Sequence, residues 1–381
     1  MVFHTRHLTF EQMNREVFTN ISKIIERDSK TATYKFALLR GVIDIIDDNS
    51  PYIDQMFGRV YIPTGLLIEK WLLYYYPILR SEIPIPQISR DKNLAFNSQF
   101  KKVIEAYELR GGFSAFYNDL KNKGIPNDLR KIVFDLIKKL KETITDKPMR
   151  HIGYSINNEH YSIFQFENAP MYLPIYLNVE YLIQHCGTFS IPVDYYEAFK
   201  DFGSFINGQN SILFKWAQFS VNASAQNLSI ENVINEVLVS PITVRNIEES
   251  KKIYRDILSK QGKIYCVWTG EKVSNYDIDH VIPFSVWKNN DLWNLLPARS
   301  TVNSKKRDRI PTPELIEKQK DLILNYWNLI QKSQNDRFQR EMQVALLGKR
   351  DFNNWQQTGL AQLQSSCHHL IENRGLEAWS I

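Results

Sequence analysis

The spacing of apolar positions changes twice along the chain. From Tyr34 to Ile46 the residues are apolar nearly all round, which predicts a central buried helix. A second helix is predicted from Gly65 to Tyr76, introduced by Ile62-Pro63 and ended or kinked at Pro77. Thr9 and Gln12 stand at capping distance and predict a helix start near the amino end. Further on, Ile132, Phe134, Leu136, Ile137 and Leu140 turn inward on a helix and leave its lysines outside. Between His151 and Phe166 the period shortens to that of strands. Ile152–Ile156, the turn Asn157-Asn158 and Tyr161–Phe166 predict a β-hairpin. Helical spacing returns from Val193 to Phe219, interrupted at Gly203 and Gly208, and the small polar run Asn222–Asn227 reads as a linker. Helices follow over Ser229–Val239 and Val244–Gln261, then two short strands, Lys263–Trp268 and Asp277–His280, and a helix over Thr301–Lys306. Three helices, Glu314–Ser333, Phe338–Leu347 and Asn354–Ile371, complete the pattern.

Composition narrows the classes. With 381 residues, 43% hydrophobic and 13% aromatic, the chain is long and apolar enough for two or three ordered domains. A net charge of +5 suits a polyanionic partner without establishing one. The densest basic stretch runs from Phe100 to Arg150 and includes Lys131, Lys138, Lys139 and Lys141. It is either a DNA-backbone contact or a solvated helix face. Trp71 and Tyr74–Tyr76 read as core aromatics in preference to a base-stacking platform. No apolar run approaches the ~18 residues of a membrane span, and the first residues lack a signal-peptide pattern. Cys186, Cys266 and Cys367 are isolated thiols, which places the protein in a reducing, cytoplasmic setting and makes each a small buried apolar residue. The pair His368-His369 lacks a third ligand at useful spacing and reads as exposed on a terminal helix.

The chemistry concentrates in Tyr276-Asp277-Ile278-Asp279-His280-Val281-Ile282-Pro283-Phe284-Ser285. Asparagines stand 14 and 23 residues after that histidine, at Asn294 and Asn303, with a basic cluster at Lys305-Lys306-Arg307. Metal-dependent phosphodiester hydrolysis needs such a set: an oxygen ligand for a hard cation, a neutral imidazole that deprotonates water, and cations near phosphate. Asn294, within Trp293-Asn294-Leu295-Leu296-Pro297, sits where an amide can brace a loop through its backbone.

From Tyr265 to Pro311, with the opening Cys266-Val267-Trp268-Thr269-Gly270-Glu271-Lys272, this constellation resembles the HNH, or ββα-metal, nucleases. It is most similar to those of CRISPR effectors and of bacterial defence and restriction systems. The resemblance implies His280 as general base, Asp279 and Asn303 as metal ligands, Asn294 as loop brace and Lys306 as a phosphate-facing cation. Asp277 either orients His280 or caps its strand, the latter being favoured. The metal implied is Mg²⁺, with Mn²⁺ able to substitute. The paired Cys-x-x-Cys motifs of many relatives are absent, so no structural zinc is expected.

The fold class expected is α+β: a mainly helical amino-terminal region with a small hairpin, a ββα-metal module and a helical tail. Its expected segments are 1–150 helical, 151–225 mixed, 226–262 a helical connector, 263–313 the nuclease module and 314–381 the tail. The function expected is a Mg²⁺-dependent endonuclease whose partner is double-stranded DNA, without a membrane role. Bacterial antiviral defence or restriction is the expected setting, with the amino-terminal region targeting or gating the cut. The alternatives are a silent module in a DNA-binding or docking protein, and a nuclease gated by a ligand or partner protein.

Overall fold

The computed structural model of the chain describes residues 16–17, 19–24, 31–82, 84–88, 93–152, 162–207, 212–224, 228–236, 241–242 and 245–381. The architecture is α+β, mainly helical with small sheets. Two compact units divide it: Met1–Ile46 with Ile53–Pro241, and Asp47–Tyr52 with Ile242–Ile381. The expected boundaries at 150 and 225 thus fall inside the first unit, and the connector, module and tail beyond 242 belong to the second.

In the first unit the helices α1 (Tyr34–Asp47), α2 (Thr64–Arg80), α3 (Asn97–Glu108), α4 (Gly112–Asn118) and α5 (Asn127–Ile144) precede α6 (Val179–His185), α7 (Val193–Asn207), α8 (Ile212–Ala223) and α9 (Ile230–Glu236). Strands β1 (Asp54–Met56), β2 (Arg59–Pro63), β3 (Gln165–Glu167) and β4 (Thr188–Pro192) form an antiparallel sheet in the order β1-β2-β4-β3. The tight β1–β2 turn puts Phe57 and Gly58 at positive φ, the twist that two-residue hairpins favour. An added Cβ on Gly65 would lie 2.1 Å from the Leu182 backbone, so α2 approaches α6 this closely only with glycine there.

The all-apolar stretch becomes α1, with ten buried residues. Trp71, Tyr75 and Tyr76 are wholly inside, packed with Tyr34, Phe96, Phe100 and Trp216 as core aromatics. Pro77 does not end α2. The helix runs one turn further, and the Ser81 N–H closes on the Pro77 carbonyl at 3.0 Å, since proline loses its donor but keeps its acceptor. Helix α5 buries Leu129, Val133, Leu136, Ile137 and Leu140. Its lysines divide: Lys131 and Lys138 are exposed, whereas Lys141 is buried and donates to the Ala169 carbonyl. Gly203 lies inside an unbroken α7. The predicted helix start at Thr9–Gln12 and all but Ile152 of the first strand of the predicted hairpin fall outside the described residues; Ile152 is buried and donates to the Pro148 carbonyl at 2.9 Å. The hairpin's second half pairs at 165–167 with β4, a partner distant in sequence.

The second unit starts with α10 (Glu248–Gln261) and the strands β5 (Ile264–Tyr265), β6 (Lys272–Val273) and β7 (Asp277–His280). The short α11 (Phe284–Trp287), β8 (Leu295–Ala298), α12 (Ser300–Lys306) and β9 (Ile310–Pro311) follow. Helices α13 (Pro313–Lys318), α14 (Lys320–Ser333), α15 (Asn335–Met342) and α16 (Trp355–Glu372), then β10 (Ala378–Trp379), complete it. The two expected module strands are not each other's partners. Gly270, at positive φ, turns the first back onto β6, while β7 pairs antiparallel with β8 through Asp279↔Leu296 and His280↔Leu295. The predicted helix over 314–333 is divided at Gln319, whose side-chain amide donates to the Trp268 carbonyl at 2.8 Å. One apolar core runs from Ile253 to Trp379, so the tail helices and the strands β5 to β8 share it. Trp327 donates to the Trp293 carbonyl, and β10 lies parallel to β9, its Trp379 edge-on to Trp268 at 5.2 Å. His369 is buried, while its neighbour His368 is exposed as expected. No helix among the described residues is long and apolar enough to cross a membrane.

Candidate active site

Strand β7 sorts the motif by alternation. Asp277 and Asp279 share the face met by α12, and His280 points the other way. On α12 the residues Asn303 and Lys306 stand one helical turn apart, so each meets one carboxylate. Asn303 Nδ2 donates to Asp277 Oδ2 at 3.4 Å, and Lys306 Nζ donates to Asp279 Oδ1 at 3.2 Å.

Asp279 is 2% exposed and Lys306 is 0% exposed. The other carboxylate oxygen, Oδ2, accepts from Trp268 Nε1 at 2.7 Å, and the Lys306 ammonium also reaches the His280 carbonyl at 2.6 Å. Burial raises the Asp279 carboxyl above its ordinary range, opposed chiefly by Lys306 and Trp268. The sequence reading turns Lys306 toward a phosphate. In the structure its ammonium faces inward, because Asp279 and a backbone carbonyl satisfy it there.

His280 is held at both nitrogens. Arg245 Nε donates to Nδ1 at 3.2 Å, and a guanidinium only donates, so Nδ1 accepts and the ring proton sits on Nε2. That proton is shared with Asn290 Oδ1 at 3.2 Å, an oxygen that also accepts the Asn246 backbone N–H at 3.1 Å. Burial pushes the imidazole down to about 4, with the nearby cations Arg245 and Lys306 acting in the same direction and Asn290 against it. At neutral pH the ring is therefore uncharged, the state a general base requires.

Asn294 is wholly buried and closes a two-bond clasp on one residue: its Oδ1 accepts from Ile282 N at 2.8 Å and its Nδ2 donates to Ile282 O at 3.0 Å. This fixes the turn that leaves β7. Behind the Asn290–Asn294 loop, Glu341 accepts from Leu292 N and from Arg337 Nε, each at 2.6 Å. Burial, with Asp291 adding to it, pushes the Glu341 carboxyl up to about 7 against the pull of Arg337.

A cleft of about 650 Å³ opens beside β7, lined by Arg245, Lys251, Arg255, Asp277 and Asn303 among others. The donor set fits a hard divalent cation with few protein ligands. Asp277 and Asn303 line the cleft, with Asn303 Nδ2 turned to Asp277 and its Oδ1 left to face another group, while Asp279 is buried against Lys306. Asp279 accepts one donor on each oxygen, and each oxygen keeps a second lone pair. Arg245, Asn290 and Trp268 have no assigned role in the sequence reading. Arg245 lies outside the motif, Asn290 is one of several polar residues in a loop, and Trp268 resembles any core aromatic.

These features define an HNH-type nuclease site, and comparison with known families agrees. Residues 266–312 match the HNH endonuclease family, so the chain carries an HNH domain, a phosphodiester hydrolase class acting on nucleic acid. Residues 14–237 match the family described as Domain of unknown function (DUF8808), and the chain belongs to that family.

Proposed function

We propose that this protein is a metal-dependent DNA endonuclease in which His280 is the general base. What supports the reading is the state of that imidazole: buried, uncharged, and fixed through Nε2 by Asn290 so that its one lone pair is on Nδ1. Asp279 and Asn303 would hold Mg²⁺ or Mn²⁺, which when bound supplies Lewis-acid stabilisation of the leaving oxygen. His280 takes the proton of the attacking water at Nδ1. Asn294 keeps the Val281-Ile282 backbone still and so fixes where the imidazole stands. Lys306 acts through Asp279 and the His280 carbonyl as a positioning residue, holding the end of β7 against α12. The strand–helix wedge carries no base readout, so sequence choice falls to other parts of the chain or to a partner. Restriction or antiviral defence in the cytoplasm is the setting we assign, on the resemblance of the motif to nucleases of those systems. Purified full-length chain should nick supercoiled plasmid with Mg²⁺ or Mn²⁺ and not with EDTA. Cutting by His280→Ala at the wild-type rate would sink the assignment.

A further inference from the structure

The base is not ready to act as it stands. Its one lone pair accepts the Arg245 Nε–H, and Arg245 Nη2 is anchored to the Ile278 carbonyl at 3.1 Å. A water cannot be deprotonated at an atom that already accepts a guanidinium hydrogen bond. The contact is nonetheless poised to open. Arg245 is an exposed residue, it precedes α10 instead of lying within it, and its guanidinium borders the cleft that also receives Lys251, Arg255, Asp277 and Asn303. Within that cleft Lys251 is engaged by Glu248 at 2.8 Å, and Arg255 Nε donates to the Lys251 carbonyl. Both the Arg245 contacts, like that of Arg255 and unlike that of Lys251, are to neutral acceptors. A phosphate is a far stronger acceptor for a guanidinium than an imidazole nitrogen is, and it takes two parallel N–H bonds.

We infer that Arg245 is a substrate-responsive cover on His280: a DNA phosphate entering the cleft draws the guanidinium off Nδ1, and the same movement frees the base and grips the strand beside the cut. This rests on the nuclease reading above. Arg245 is then a positioning residue for the base and a phosphate contact for the substrate. No bond is made or broken in the exchange; one hydrogen-bond acceptor replaces another. The two carboxylates in the cleft, Glu248 and Asp277, face three cations, Arg245, Lys251 and Arg255, which leaves one positive charge in excess for a phosphate.

Two measurements test it on the full chain. The first needs no catalysis. An imidazole lone pair attacks the carbonyl of diethyl pyrocarbonate and expels ethyl carbonate, so labelling of His280, read by peptide mass spectrometry in EDTA, reports whether Nδ1 is covered. Wild type should label slowly in a phosphate-free buffer and faster when inorganic phosphate is added. Arg245→Gln and Arg245→Lys should label about tenfold or more faster than wild type without phosphate, the worth of a charge-assisted hydrogen bond. The second is a split of kinetic constants on a short duplex. Arg245→Gln should raise KM about tenfold or more, for the same lost bond to phosphate, with a smaller change in the rate at saturating DNA. Arg245→Lys keeps a cation for the phosphate and should restore much of KM.

His280 labelling indifferent to both the substitutions and phosphate would overturn the inference. So would a saturated rate in Arg245→Gln as low as that of His280→Ala, which would make the arginine a fixed part of the base's mounting. The wild-type phosphate arm needs no variant to fold. An active His280→Ala would instead bring down the nuclease reading, whatever Arg245 does.

Discussion

Each unit buries a polar cluster, and the two are built on opposite principles. In the first unit Gln87 is the hub of a neutral cluster. Its Oε1 accepts from Thr33 and Trp216, its Nε2 donates to Ser220, and Tyr75 joins through Thr33, all of them buried. Every bond ends on another member or on nearby backbone, so the cluster has nothing to offer a ligand. In the second unit the cluster is ionic. Lys306 and Asp279 form a buried pair, His280 is held beside it, and the set reaches an open cleft through Asp277, Asn303 and Arg245. A buried ion pair is a weak way to stabilise a fold, because desolvation offsets most of the attraction. Its presence next to a histidine whose pKa burial lowers, with Asp277, Asn303 and Arg245 leading to a cleft, is what the proposed chemistry asks for and the neutral cluster lacks.

Breaking each cluster should separate these roles. His280→Ala should lower plasmid nicking by about 10²–10⁴-fold, the usual worth of a general base, with DNA binding and melting close to wild type. Lys306→Met strands a buried carboxylate and should cost about 3–5 kcal/mol in urea unfolding. Adding Asp279→Asn to it should recover much of that loss, which a simple packing defect would not. Glu341 sharpens the contrast through pH. Its folded value of about 7 exceeds its ordinary 4.5, so the folded state binds the proton more tightly. Its contribution is complete below about 4.5 and is lost as pH rises through about 7. That amounts to roughly 3 kcal/mol, and Glu341→Gln should flatten the slope of stability over this window. Gln87→Leu leaves Thr33, Ser220 and Trp216 short of partners and should cost about 1–3 kcal/mol. The smallest change is expected on the solvated face of α5. There Lys131 pairs with the solvent-facing carboxylate of Asp135, so Lys131→Ala should move stability by no more than about 0.5 kcal/mol.

What the sequence could disclose follows the same division. Residues bound to their neighbours in chain order were legible: α1 from its apolar run and α12 from its position after the motif, whereas Asp279, His280, Asn294 and Asn303 were singled out by the motif's resemblance to a family. Partnerships formed across the fold were not legible. Which strand β7 chooses depends on the turn at Gly270, and the split of α13 from α14 depends on a side-chain bond from Gln319 to Trp268. The inward course of Lys306 follows from Asp279 lying beneath it, a fact of depth that no periodicity records. Lys141 was missed for the same reason, since its acceptor is a carbonyl 28 residues away.

The strand Ala378–Trp379 gives this depth a practical meaning. It pairs with Ile310–Pro311, and Trp379 rests on Trp268, whose indole N–H holds Asp279. The stretch with a recognisable motif stops near residue 312, yet the tryptophan that steadies the acid arrives more than sixty residues later. The nuclease is therefore not a portable cassette. A fragment cut at the edges of its motif would keep Asp279, His280, Asn294, Asn303 and Lys306 but lose the wall they lean on, and anyone transplanting this activity must carry residues 314–381 along with it.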